Sequence, residues 1–317
     1  MSNRFPKKFS YGSDCLLLLI ACLVPSVLFN GINGVKIAAA GVITAVVTDA
    51  LCTLIFRTDA PVFSRYSVIT GLSSVMLLSA GAPVYVAITA SFSSVVVGKL
   101  PFGDWEKTPF VPAAVGSALA WVLYPGKCFS YPVPFTGNYG SAESLASMLK
   151  NGNSANMTAP GILNILVGNF PGPLGTTCGI FFAACLVDFL IRNIDAFITS
   201  AGFISICFLF AALFPRVQSG RQTSVIMELC SGALLFTAVF FMNYPNVRFR
   251  SVNFAMLYGM AGGVVYMLIR YFGAFEDGAP FAVLIINAAA PVFEARTRKA
   301  HETEKEELPS PEKEVSE

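Results

Sequence analysis

Ser67-Val-Ile-Thr-Gly-Leu-Ser-Ser-Val-Met-Leu-Leu78 and Ser224-Val-Ile-Met-Glu-Leu-Cys-Ser-Gly-Ala-Leu-Leu235 agree at 7 of 12 positions. Two weaker correspondences flank this pair. Gly103 followed by Pro109-Phe110 recurs as Gly273 followed by Pro280-Phe281, and Asp49 in AVVTDAL parallels Asp188 in ACLVDFL. The offsets of 139, 157 and 170 residues rise steadily along the chain, as a duplication with small insertions produces. A repeat this long implies that each copy is a structural unit and that the two pack against each other.

The material being repeated is apolar. The chain has 317 residues, 55% hydrophobic and 13% charged, with a mean hydropathy of +0.65. A soluble domain carries about 25% charged residues, so disordered, disulfide-rich secreted and ordinary soluble-enzyme classes are excluded. A net charge of +2, from 21 basic and 19 acidic residues, leaves no electrostatic footprint for nucleic acid. The one histidine, His301, lies in the polar tail, which excludes a histidine-based triad, a multi-histidine zinc site and bis-histidine haem ligation. The eight cysteines include no CxxC and read as small buried hydrophobes rather than metal ligands.

A hydrocarbon core needs roughly 20 apolar residues per crossing helix. Ten segments qualify in whole or in part: Asp14–Asn30, Val35–Phe56, Tyr66–Ser79, Pro83–Gly98, Pro109–Tyr124, Pro171–Ile191, Ala196–Leu213, Gln222–Asn243, Val252–Phe272 and Ala279–Phe293. The short ones, bounded by Gly and Pro, predict discontinuous helices around a protected site. Five spans per repeat is an odd number, so the second copy is inverted in the membrane. The expected fold is an all-α membrane protein of about ten helices in two inverted five-helix repeats. Its predicted parts are residues 1–13 as a cytoplasmic start, 14–125 as the first repeat, 126–160 as an external loop, 161–293 as the second repeat and 294–317 as a disordered cytoplasmic tail. With the N-terminus inside, 15 basic residues fall on the cytoplasmic side and 6 outside, the asymmetry expected of that orientation. Both termini are then cytoplasmic.

An ionisable residue at mid-membrane costs about 2.5–3.5 kcal/mol and needs a reason. Asp188 has one, because Arg192 lies four residues on at the membrane edge. Asp49 and Glu228 lack such a local explanation. They read either as cation or proton stations inside the bundle or as snorkelled or hydrogen-bonded structural acids. The turn-rich Gly168-Asn-Phe-Pro-Gly172-Pro-Leu-Gly-Thr-Thr-Cys178 offers backbone N–H groups and the Thr176 and Thr177 hydroxyls to a phosphate or flavin edge. It also reads as an ordinary helix break. No catalytic residue and no metal site is predicted.

GKLPFGDWEKTPFVPAAVG (98–116), GNFPGPLGTTC (168–178), ELCSGALLFTAVFFMNYP (228–245) and LYGMAGGVVYMLIRYFGAFEDGAPFAVLIINAAAP (257–291) occur in that order. Together they resemble the RnfD/NqrB family, membrane components of the Rnf electron-transport complex and of the sodium-translocating NADH:quinone reductase. The resemblance implies a urea-transporter-like ten-helix fold in a bacterial inner membrane. It implies membership of an ion-translocating electron-transport complex that is ferredoxin- or NAD-linked, with other membrane and redox subunits as partners. The family cofactor is FMN, joined to the Thr of an S-G-A-T motif. The matching stretch here is Gly140-Ser-Ala-Glu-Ser, so Glu143 replaces that Thr and no threonyl phosphoester can form. By resemblance the flavin region comprises Ser141, Glu143, Ser144, Gly172, Gly175, Thr176 and Thr177; the ion-pathway candidates, Asp49 and Glu228, are those read above from their place in apolar spans. A diverged member without covalent flavin at the usual position is expected. The other functional classes that fit the same fold are a stand-alone small-solute channel or transporter, and a scaffold component that has lost redox function.

Overall fold

A chain in hydrocarbon must satisfy its own backbone N–H and C=O groups, and the apolar runs accordingly fold as helices. The computed structural model describes residues 11–56, 64–103, 105, 107–135, 142–151, 161–216, 221–244 and 252–291. Among these there is no strand, only one isolated antiparallel bridge between Tyr131 and Ala142. The predicted tail 294–317, most of the predicted N-terminal segment, and Ser141 lie outside the described residues.

The first half contains α1 (Tyr11–Asn30), α2 (Ile32–Phe56), α3 (Arg65–Val75), α4 (Val84–Val96) and α5 (Pro112–Leu123). Three short helices follow: α6 (Pro125–Cys128), α7 (Leu145–Asn151) and α8 (Ile162–Val167). The second half contains α9 (Gly179–Arg192), α10 (Ile194–Leu213), α11 (Arg221–Cys230), α12 (Leu234–Phe236, continued by a π-helical turn to Phe241), α13 (Val252–Phe272) and α14 (Ala279–Pro291). α1, α2, α4 with its extension to Phe102, α10 and α13 are each long and apolar enough to cross a membrane. α11 and α12 pass that test only together, and they bend by 59° at a short break. Apolar side chains on α1 and α2, such as Leu17, Leu28, Ile43 and Leu54, are exposed, as a lipid-facing surface requires. The chain is a multi-pass, all-helical membrane protein.

Small residues set the closest packing. α10 and α13 form the most extensive helix pair. At Gly259 of α13 a Cβ would stand 2.1 Å from the Thr199 carbonyl of α10, so any side chain there forces the pair apart.

Most helix ends shift by a few residues from the sequence reading, and the largest difference is at the start of α9. α9 starts at Gly179 rather than near Pro171. Pro171 and Pro173 have no N–H to give a helix, and the two following N–H groups bond elsewhere. Leu174 N–H donates to Leu78 O at 2.9 Å and Gly175 N–H to Met76 O at 3.1 Å. Residues 173–175 therefore close the end of α3, supplying donors to carbonyls that a terminated helix leaves orphaned.

Contacts among loops sort the helix ends. Phe135 N–H donates to Phe29 O at the end of α1, Tyr131 reaches the α13–α14 turn, and Arg216 after α10 stacks on Tyr271. These lie at one end of the bundle. Asp14 at the start of α1 pairs with Arg192 at the end of α9 at 2.7 Å, marking the other end.

Candidate functional site

Asp49 lies on α2, 17 residues past its start and so about 25 Å along it, at the Asp14–Arg192 end of the bundle. It is 1% exposed and is compensated from two other helices. The Ser67 hydroxyl, at the start of α3, donates to Oδ2, and Lys99, just past α4, donates to Oδ1. The Lys99 ammonium also lies 4.7 Å from the Trp105 ring centroid, a cation–π contact that replaces some of its lost hydration. Charge counting along the sequence puts Lys99 among the loop cations; it is buried. The sequence signal for this is a lone lysine directly after an apolar run, in Gly98-Lys-Leu-Pro.

Glu228 lies on α11, toward the opposite end of the bundle, and is equally buried. Arg270 near the end of α13 faces it, Nε to Oε1 at 2.9 Å. That contact is an ion pair whose N–H does not point at the oxygen, so both carboxylate oxygens lack a hydrogen-bond donor. The rest of the Arg270 guanidinium is well bonded. Nη1 donates to Ser231 O at 3.1 Å and to the Tyr266 hydroxyl at 3.0 Å, and Nη2 to Ser231 Oγ.

The break between α11 and α12 is built around Gly232, whose φ of +67° suits glycine. A Cβ there would lie 2.2 Å from Asp277 Oδ2. The missing side chain lets Asp277 accept from Ala233 N–H at the start of α12, while its other oxygen accepts from Ala279 N–H at 3.1 Å. One carboxylate thus caps two helix starts, where partial positive charge favours an anion. Sequence reasoning missed Asp277; its signal is an acidic doublet in Gly273-Ala-Phe-Glu-Asp-Gly278, between two apolar segments.

The other half of that doublet faces the loop. Glu276 accepts from the Tyr131 hydroxyl at 2.7 Å and from Ser144 Oγ at 2.8 Å. Lys150 Nζ donates to the carbonyls of Gly273, Ala274 and Phe275 at 2.8, 2.6 and 2.8 Å. Burial pushes the Glu276 carboxyl up to about 7, against the lowering effect of the Tyr131 and Ser144 hydrogen bonds.

These contacts also locate the residues expected to meet flavin. Ser144 Oγ is bonded to Glu276, and Glu143 accepts from Asn151 Nδ2 at 3.3 Å. Gly175 N–H is taken by Met76 O. A Cβ at Gly172 would lie 2.8 Å from the Thr177 methyl group. Thr176 and Thr177 are buried, and Thr176 Oγ1 has no hydrogen-bond partner. The two stretches meet through an apolar cluster that includes Leu145, Leu149, Ile165 and Phe170. At position 143 the residues do not fit a phosphoester-linked flavin: the side chain is a carboxylate without a hydroxyl, and a second carboxylate, Glu276, lies beside the adjacent Ser144.

Known proteins resemble this chain over most of its length. The D component of the Na(+)-translocating ferredoxin:NAD(+) oxidoreductase complex of Acetobacterium woodii is 25% identical over 296 residues, covering 92% of this chain and 89% of that one. The D component of the ion-translocating oxidoreductase complex of Pseudomonas aeruginosa is 28% identical over 251 residues, 73% of each chain. The corresponding component from Mannheimia succiniciproducens is 26% identical over 299 residues, 81% of this chain and 84% of that one. The sequence profile of one family matches residues 10–302, nearly the whole chain, and the protein belongs to that family, NQR2, RnfD, RnfE.

Proposed function

We propose that this chain is a membrane subunit of an Rnf-like, ion-translocating electron-transport complex. It works in a bacterial inner membrane alongside other membrane and redox proteins of the complex, with ten spans in two inverted five-helix repeats. The observation that carries this reading is the pair of buried ion pairs. In each half an acid meets a basic residue from the end of that half's fourth long helix: Asp49 with Lys99 near one end of the bundle, Glu228 with Arg270 toward the other. Two charged stations at opposite depths, with their basic members Lys99 and Arg270 at matching places in the two halves, suit stepwise passage of a small cation.

The stand-alone solute channel receives less support. Such proteins hold their solute on the free backbone groups of discontinuous helices. Here Leu174 and Gly175 cover carbonyls at the end of α3, and Asp277 covers the start of α12. The chain carries no covalent flavin at position 143 in this proposal, and its redox chemistry comes from its partners in the complex.

The test is coupled transport by the complete complex in liposomes. With Glu228→Gln or Asp49→Asn, electron transfer should continue while sodium or proton uptake falls to background. Unchanged uptake in both variants would refute the assignment. A flavin band surviving SDS in the isolated chain would refute the proposal about position 143.

A further inference from the structure

A second arginine lies within electrostatic range of Glu228. Arg216 follows α10, and its backbone N–H donates to Ser224 Oγ at 3.2 Å. Ser224 lies one turn before Glu228 on the same face of α11, about 6 Å away along the helix axis. The Arg216 guanidinium lies 3.5 Å above the Tyr271 ring, and its Nη2 donates to Arg270 O at 3.3 Å. Its Nη1 is buried without a hydrogen-bond partner. Two unsatisfied groups of opposite charge, the Glu228 oxygens and Arg216 Nη1, thus lie within electrostatic range without bonding. Arg270 cannot fill this role, because its other two nitrogens are already bonded to Ser231 and Tyr266. Arg216 is different: it is only half-buried, follows a helix end and rests on a ring face.

We propose that Arg216 is a tethered counter-cation that gates Glu228, competing with the small hard cation, sodium or proton, that the carboxylate receives. This rests on the reading of Glu228 as a cation station. While the guanidinium stays on Tyr271 its charge opposes an arriving cation; when it lifts away, the carboxylate opens. Arg216 is a positioning residue and takes no part in electron transfer. The titratable and charged groups around Glu228 are Arg270, Tyr266 and Tyr271 of α13, Cys207 of α10, Asp277 of the α13–α14 turn and Arg216.

The test uses the assembled complex and dicyclohexylcarbodiimide, which modifies buried carboxyls, with the adduct at Glu228 followed by mass spectrometry. Arg216→Gln should speed modification about fivefold or more, the lower bound of a typical coupling between sites. Arg216→Lys keeps the charge and should stay closer to the parent. Tyr271→Leu removes the ring but keeps the arginine, and should also accelerate modification, which provides a second route if Arg216→Gln fails to assemble. Protection by sodium at fixed pH assigns the cation to sodium, and slowing only with rising pH assigns it to protons. Parent-like rates in Arg216→Gln and Tyr271→Leu would overturn the gate. If Glu228→Gln still supports full cation uptake, the underlying reading fails instead; if it abolishes uptake while both gate variants behave as the parent, only the gate fails.

Discussion

Removing Lys99 would leave Asp49 as an uncompensated charge inside the bundle. With charge centres about 4 Å apart and an effective dielectric of about 20, the pair interacts by roughly 4 kcal/mol. Truncating one partner of a buried pair costs about 3–5 kcal/mol, because the survivor stays desolvated. Lys99→Met should therefore destabilise the chain by at least ~3 kcal/mol, and Asp49→Asn should do less harm, because the amide can still accept from Ser67. The double variant should regain much of the loss, since neither charge then remains. Stability is read by SDS titration of the chain in detergent micelles, with helix content as the signal. A double-mutant cycle closes with a coupling of at least ~2 kcal/mol if the pair acts as described. Additivity within ~0.5 kcal/mol would refute the reasoning, because two groups in direct contact cannot behave independently.

Three further outcomes follow from the same geometry. Gly232→Ala should lower stability by about 1–3 kcal/mol through a strained left-handed backbone and by more through collision with Asp277; thermal unfolding by size-exclusion chromatography reads it, and a parent-like midpoint would show that the break tolerates a side chain. Glu276 carries a folded-state pKa of about 7 against an ordinary 4.5, so the folded state binds more protons between those values, and its stabilising contribution is complete below pH ~4.5 and lost as pH rises through ~7. The stability difference between parent and Glu276→Gln should change across that window, and a flat difference from pH 4 to 8 would contradict the buried carboxyl. Gly259→Val should separate α10 from α13 and reduce assembly, whereas Gly126→Ala, where a Cβ meets nothing within 4 Å, should leave assembly unchanged; equal behaviour of the two in pull-down yield would count against close helix contact.

Much of the fold is legible in the sequence because hydrocarbon leaves the backbone few choices. Ile32–Phe56, Ile194–Leu213 and Val252–Phe272 declare themselves by length and apolarity alone. The start of α9 is misplaced by hydropathy because Gly172–Cys178 is apolar enough to pass for membrane helix, while its hydrogen bonds go to residues almost a hundred positions earlier. Hydropathy carries no information about such a partner. Asp49 and Glu228 stand out by their cost in an apolar run, but Lys99 and Arg270 read as loop cations because each lies near a segment end. Charge counting assigns a side to such residues; only packing shows that their side chains turn inward. Asp277 is hidden for a related reason, since an acid in a polar turn looks solvated until the broken helix is seen beneath it.

The closure of α3 by Leu174 and Gly175 has a consequence for biogenesis. The ribosome releases Met76 and Leu78 long before the two donors that their carbonyls bond. Until roughly the midpoint of translation is past, the nascent first half must keep that terminus hydrated, hold it within the translocon or lend it to a chaperone. A chain arrested shortly before residue 174 should accordingly be more open to insertion-machinery crosslinking at this terminus than one arrested after α9, so the second half of the chain completes the first.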